Sequence, residues 1–141
     1  MDLAARFESY AADFERTYAD DDWTRLEQYF AEDAVYSTTA NGMRIAGRVN
    51  VLAVLRAAIS GFDRLCDSRL LETTDGPRQE GDQVVRKWAC RFALRGAPDL
   101  HIEGNERAVY RGDRIELLEV AITPETFGRL LEYRERYVLK R

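Results

Sequence analysis

The first third of the chain has hydrophobic positions at helical spacing. Residues 3–18 carry an apolar residue at every third or fourth position with charges between them, which predicts an amphipathic helix. The aspartates of "ADDDW" then offer caps for a second, short helix that carries Trp23, Leu26 and Phe30. The same helical spacing returns in residues 47–62 and predicts a third helix.

The rest of the chain alternates between apolar and polar residues, as half-buried strands do. Strands are predicted for residues 32–39, 66–75, 83–96 and both halves of 102–120, the last two joined by a turn at "RGDR". The connections at "ANGMR" and "GPRQEGD" are predicted as a turn and a loop. A closing helix is predicted over 123–141, with Thr123 as its N-cap and Pro124 in its first turn.

This order of elements predicts one α+β domain over residues 1–141. Helices, a strand and a helix are followed by a run of strands that we expect to form a curved antiparallel sheet. If the sheet curls around the N-terminal helices, the domain becomes a cone, a cystatin-like α+β barrel with an added C-terminal helix. Such a cone is open at one end and lined by inward side chains.

One carboxylate interrupts the inward face of a predicted strand. Ile102, Gly104, Glu106, Ala108 and Tyr110 share a face because side chains alternate along a strand, and only Glu106 among them is charged. The opposite face is mostly polar and is expected to meet solvent. A β-bulge at Gly104 would reverse this assignment and turn Glu106 outward.

The preceding strand also carries a charge on its apolar face, because Arg86 alternates with Val84 and Trp88. Two roles therefore stay open for Glu106. It is either a group that meets a ligand or one half of a buried structural ion pair with Arg86, since an unpaired buried carboxylate is costly.

Composition excludes several classes of function. The chain is 45% hydrophobic and 33% charged with a net charge of −4, and no block of basic residues supports nucleic-acid binding. The N-terminal stretch has no continuous apolar run, so neither a signal peptide nor a membrane span is predicted, and a cytoplasmic location with Cys66 and Cys90 as thiols is expected. His101 is the one histidine, so no metal site and no cofactor are expected.

Three segments, in this order and spacing, resemble the nuclear transport factor 2-like superfamily in its SnoaL-like branch. They are "YFAEDAVY", the "G...V..L" spacing that opens the third helix, and "IEGNERAVYRGDRI". The resemblance implies the cone-shaped fold and often a homodimer. It leaves the activity open, because the superfamily includes isomerases, polyketide cyclases, epoxide hydrolases and non-enzymatic binding modules.

The residues fit these activities unequally. Matching to ketosteroid isomerase places its base at Thr38, its tyrosine at Phe14 and its protonated acid at Glu106, so one of the three groups is kept and the isomerase reaction is disfavoured. SnoaL-type cyclases place an acid/base aspartate at the position of Glu106, but their partner histidine is not matched, because His101 is expected to face outward. Limonene epoxide hydrolase needs an Asp–Arg–Asp set, for which a second inward carboxylate is not assured.

Two functional hypotheses result. In the first, an apolar pocket binds a small apolar or cyclic ligand, with Glu106 as acid/base in a cofactor-free isomerase, cyclase or hydrolase. Its ligand contacts would be Phe14, Tyr36, Arg86, Trp88 and Tyr110. In the second, the cone is filled by its own aromatic side chains, and the protein is a non-enzymatic binding or interaction module. The resemblance also implies a homodimer through the outer sheet face, to which the sequence adds the small residues Val85, Ala89 and Ala93. In the second hypothesis, this face makes the homodimer or binds a partner.

Overall fold

The computed structural model describes residues 1–140. The helices are α1 (Leu3–Asp20), α2 (Arg48–Gly61) and α3 (Pro124–Tyr133). The strands are β1 (Phe30–Thr38), β2 (Arg44–Ala46), β3 (Ser68–Glu80), β4 (Gln83–Ala93), β5 (Leu100–Arg111) and β6 (Arg114–Ala121). Short 3-10 helices occupy Trp23–Tyr29 and Asp63–Leu65, and a π-helical turn, Arg134–Val138, continues α3.

The ends of α1 and α3 are set by local chemistry. The Asp2 carboxylate accepts a hydrogen bond of 3.0 Å from the Ala5 amide at the start of α1. Asp21 ends the same helix in the left-handed conformation, with φ 62°. Thr123 caps α3 by accepting from the Thr126 amide at 3.1 Å, and Pro124 follows it, so the predicted start of the closing helix is confirmed.

Within residues 1–140, one six-stranded sheet holds all the strands, in the order β2-β1-β6-β5-β4-β3. Every neighbouring pair is antiparallel except β1 and β6, which run parallel. The sheet is therefore mixed, where an all-antiparallel sheet was expected. The predicted α+β architecture is confirmed, because α1 and α2 pack on one face of this sheet and α3 closes the chain.

Two segments differ from the sequence-based expectation. The stretch "GPRQE", predicted as a loop, belongs to β3, whose pairing with β4 resumes at Arg78 after register shifts on either side of Asp75. The short strand β2 was not predicted, and it pairs with the end of β1. Both strands are held in an extended conformation by backbone hydrogen bonds to a partner strand. The turn-forming residues within them give no sign of this partner, so the sequence alone does not predict the two strands.

The apolar core consists of two clusters of buried side chains. The first includes Phe7, Leu26 and Phe30, and the second includes Phe62 and Phe92. Residues of both clusters line a cavity on the inner face of the sheet. No helix in residues 1–140 has the length and apolarity needed to span a bilayer.

Candidate functional site

The register of β4 and β5 turns Glu106 toward the interior. Trp88 pairs with Gly104 and Arg86 pairs with Glu106, and the pairing continues without a shift along both strands. Gly104 therefore carries no bulge, and the alternation read from the sequence holds. The Glu106 side chain is 9% exposed.

Glu106 lines a partly open cavity of about 430 Å³ between the sheet and the helices α1, α2 and α3. Phe14, Arg86 and Trp88, which were predicted to contact a ligand, line the same cavity. Most of the remaining wall is apolar, and it includes Tyr10, Leu55, Ile59, Phe92, Ile102 and Leu118. A volume of this size with few polar groups is typical of small-molecule sites.

The Glu106 carboxylate is paired with Arg86. The Nε of Arg86 donates to Oε1 of Glu106 at 2.7 Å, and Nη2 lies 2.7 Å from the same oxygen. Nη1 donates to the Thr73 hydroxyl at 3.2 Å, and the guanidinium lies 5.1 Å from the centre of the Phe7 ring. No donor in the described part of the chain hydrogen-bonds Oε2 of Glu106, so one carboxylate oxygen stays available to a ligand.

Tyr36 and Tyr110, the other two predicted ligand contacts, do not line the cavity. Tyr110 is a core residue whose hydroxyl is buried without a hydrogen-bond partner in residues 1–140, and burial raises its pKa. Tyr36 packs partly buried against the first core cluster, and burial raises its pKa as well. Both rings pack against neighbouring apolar side chains. Alternation along a strand predicts which face a side chain is on, but it does not predict whether that side chain lies in the core or in the cavity wall.

Gly104 allows the Trp88 ring to lie across the neighbouring strand. A Cβ at position 104 would come within 2.7 Å of the Trp88 ring and within 2.7 Å of the Ala121 carbonyl oxygen. The absence of a side chain at this position therefore sets the place of the indole in the cavity wall.

A second polar cluster lines the cavity and was missed from the sequence. Arg69 of β3 is 4% exposed, and its Nη1 lies 2.6 Å from Oε1 of Glu15 on α1. Its Nε donates to Oδ2 of Asp63 at 2.6 Å, and its guanidinium lies 4.6 Å from the centre of the Tyr18 ring. We call Glu15, Asp63 and Arg69 the acid–arginine cluster.

The protonation of this cluster follows from its burial. Burial raises the pKa of Asp63 to about 6, and Arg69 opposes that shift only in part. Burial alone would lower the pKa of Arg69, but the two carboxylates outweigh it and the pKa is raised. The guanidinium is therefore charged, and Asp63 is ionised mainly above pH 6.

The sequence held a signal for part of this cluster. Arg69 alternates with Leu71 and Thr73 on the inner face of β3, as Arg86 does on β4. Glu15 directly follows Phe14 on the helix, so it borders the apolar face. Asp63 lies in a short 3-10 helix between α2 and β3, and its place beside Arg69 depends on tertiary packing.

Tyr10 and Cys90 are two further lining groups with shifted pKa values. Burial and the negative charge of Glu106 raise the pKa of the Tyr10 hydroxyl well above its ordinary value. Burial raises the pKa of the Cys90 thiol to about 12, so the thiol is neutral and a poor nucleophile. Residues 1–140 hold no group of three or more His, Cys, Asp or Glu side chains placed to bind a metal ion.

Sequence comparison finds no match to a protein-family model and none to a curated protein. Structural comparison does find similar folds. An epoxide hydrolase of the limonene type from M. tuberculosis is 14% identical with a TM-score of 0.65, and the match covers 97% of this chain and 93% of that one. A candidate SnoaL-like polyketide cyclase from Shewanella putrefaciens is 13% identical with a TM-score of 0.66, covering 88% and 84%.

A third similar structure is a protein with a ketosteroid isomerase-like fold from Catenulispora acidiphila, in complex with trimethylamine. It is 16% identical with a TM-score of 0.64, over 86% of this chain and 90% of that one. The chain thus has the nuclear transport factor 2-like fold that its sequence segments resemble. At these identities the likeness shows the fold alone.

Proposed function

We propose that this protein binds a small apolar or cyclic molecule in the cavity beside Glu106. The observation that carries the proposal is the cavity itself, because about 430 Å³ of mostly apolar space remains where a purely structural cone would be filled by side chains. Buried charged groups at two points of its wall would orient the ligand. The descriptions of the three similar structures, a cyclase, an epoxide hydrolase and a complex with trimethylamine, agree with a small-molecule site.

In the catalytic form of this proposal, Glu106 is the acid/base group and no cofactor takes part. In the ion pair with Arg86 it is a carboxylate, so its first step is removal of a proton from a carbon next to a carbonyl. The proton returns from Glu106 to another atom of the same ligand, which gives an isomerisation or a ring closure. Arg86 acts as a positioning residue, because it holds Oε1 and leaves Oε2 to accept the proton.

A non-enzymatic binding protein is the second candidate, and the Arg86–Glu106 pair favours it. Two nitrogens of one guanidinium lie 2.7 Å from the same carboxylate oxygen, a geometry that holds β4 and β5 together without any chemistry. In this case the ligand is retained unchanged, and the Glu106 carboxylate stabilises the protein instead of transferring a proton.

The binding proposal is tested by thermal unfolding of the whole protein against a library of small cyclic ketones, lactones and amines. A ligand that binds only the folded state raises the midpoint of unfolding. We expect at least one chemical series to raise it in proportion to concentration. Trp88→Ala, which removes a cavity wall, should abolish the effect, whereas Trp23, which lies outside the cavity lining, provides the control Trp23→Phe. A library without any binder would contradict the proposal.

Glu106→Gln separates the two forms of the proposal. The substitution leaves the Arg86 guanidinium buried without a countercharge, so we expect it to lower the free energy of unfolding by about 3 kcal/mol. Glu103→Gln, on the exposed face of the same strand, is the matched control. A catalytic Glu106 predicts in addition the loss of deuterium exchange at the ligand's acidic carbon, measured by NMR, while binding remains. Unchanged stability in urea would show that the pair is not structural.

We also propose that the protein is a homodimer through the outer face of the sheet. Val85, Ala89 and Ala93 lie on this face of β4, and all three are partly exposed. Small side chains at these positions allow a second sheet to approach closely.

A further inference from the structure

Charge is unequally distributed along the cavity wall. Glu106 and Arg86 neutralise each other one to one. In the acid–arginine cluster, one guanidinium serves two carboxylates, Glu15 and Asp63, each at 2.6 Å. No other Lys, Arg or His of residues 1–140 lies within 4.0 Å of either carboxylate. This end of the cavity therefore carries one negative charge in excess when all three groups are ionised.

One oxygen of this cluster has no partner. Oε2 of Glu15 is buried and accepts no hydrogen bond from the described residues, although the Glu15 side chain as a whole is 42% exposed. The two values agree if the methylene groups meet solvent while the carboxylate turns toward Arg69. Burying a carboxylate oxygen that accepts no hydrogen bond costs free energy. A ligand that brings a hydrogen-bond donor to this oxygen would therefore be stabilised there.

The arginines are not available to an anionic ligand. Arg69 is held between two carboxylates and against the Tyr18 ring, and it is almost fully buried. Arg86 is engaged with Glu106 and Thr73. Phe14 and Trp88 line the same space, and aromatic rings attract cations because they are negative on their faces.

We infer that the cavity selects a monovalent organic ammonium ion with an apolar body, whose ammonium group lies at Glu15 and Asp63. The inference rests on the proposed binding function and adds the charge of the ligand to it. The ammonium group supplies both the missing positive charge and the missing hydrogen-bond donor, while the apolar body fills the space toward Trp88.

Three probes of similar size test the inference on the whole protein at pH 7.5. They are 2-phenylethylamine as the cation, 2-phenylethanol as the neutral analogue and 3-phenylpropanoate as the anion, each measured by isothermal titration calorimetry. We expect the amine to bind about tenfold more tightly than the alcohol, and the acid more weakly than both. Equal affinity of amine and alcohol, or preference for the acid, would overturn the inference and leave the binding function standing. If none of the three probes binds, the ligand class is wrong, and the cyclic-compound screen decides separately on the binding function.

Substitutions in the acid–arginine cluster test where the ammonium group binds. Glu15→Gln keeps a hydrogen-bond acceptor for Arg69 and removes the excess charge, so the preference for the amine should fall to about equal affinity while the alcohol is unaffected. Glu8→Gln, an exposed position on α1 outside the cavity lining, is the matched control and should preserve the preference. Asp63→Asn provides a second test should Glu15→Gln unfold. A preference that survives both substitutions would refute the assignment.

Discussion

Arg69 and Arg86 both line the cavity on the inner face of the sheet, and they are neutralised differently. Arg86 has one carboxylate, whereas Arg69 has two. Alternation of side chains predicts the inward direction of Arg86 and Glu106, because β4 and β5 pair without interruption. It also places Arg69 on the same face of β3 as Leu71 and Thr73. The same rule cannot predict Glu15 and Asp63, which reach Arg69 from α1 and from the 3-10 helix after α2. Two of the five charged side chains that line the cavity therefore depend on how helices dock on the sheet.

Asp63 gives the acid–arginine cluster a measurable pH dependence. Its pKa of about 6 in the fold lies above the ordinary value of 3.8, so the fold binds this proton more tightly than the unfolded chain does. The resulting stability is fully present below pH 3.8 and is lost as the pH rises through 6. Between pH 4 and pH 7, the free energy of unfolding of the natural protein should thus fall by about 3 kcal/mol at most, relative to that of Asp63→Asn.

Urea unfolding of both proteins at several pH values measures this difference, since the titration of distant groups cancels. The charged neighbours of Asp63 are Arg69 on β3 and Glu15 on α1, and both remain in the variant. Asp20 should show a pH dependence of the opposite sign. Hydrogen bonding to Arg25 lowers the pKa of Asp20 to about 2, so its contribution to stability is lost as the pH falls through that value. A pH-independent difference for Asp63→Asn would show that this carboxyl is not shifted.

At the level of elements, the helices and the regular strands follow from pattern alone, and the irregular pairings do not. The apolar spacing of α1 and α2 and the Thr-Pro start of α3 are local features, so they can be read from the sequence. The length of β3 and the parallel pairing of β1 with β6 depend on which strands become neighbours. Glycine and proline in "GPRQE" indicate a loop locally, but β4 supplies the hydrogen bonds that keep most of this stretch in the sheet.

The close packing of β4 and β5 at Gly104 leads to a prediction about stability. Gly104→Ala would force the new methyl group to within 2.7 Å of both the Trp88 ring and a backbone oxygen of β6, and only the ring can move. We expect a loss of about 1–3 kcal/mol in the free energy of unfolding and a smaller cavity. Gly128→Ala in α3 meets no atom within 4 Å and should stabilise the protein by about 0.5–1 kcal/mol.

Urea denaturation of the two alanine variants measures both effects. Because each substitution adds one methyl group to a glycine, differences in the unfolded chain largely cancel between them. A Gly104→Ala protein as stable as its Gly128→Ala counterpart would mean that the indole ring of Trp88 is free to shift.

For the whole molecule, the proposed homodimer is the property most open to direct measurement. Sedimentation equilibrium at micromolar concentration should give twice the mass of the 16.2 kDa chain. Ala89→Glu places a charge at the centre of the outer face of β4 and should shift the equilibrium to monomer. Val49→Glu, at an exposed apolar position on α2, is the control and should leave the dimer intact. A natural protein that remains monomeric at high micromolar concentration would contradict the proposal.

The position of Trp88 also has a spectroscopic consequence. The chain has two tryptophans, and Trp88 lines the cavity while Trp23 hydrogen-bonds Asp21 at 2.8 Å beside α1. In Trp23→Phe, all indole emission would come from Trp88 in the cavity wall. A molecule that enters displaces water from this ring, so the emission maximum would shift toward the blue or the intensity would change. Occupancy could then be followed in real time without labelling the protein.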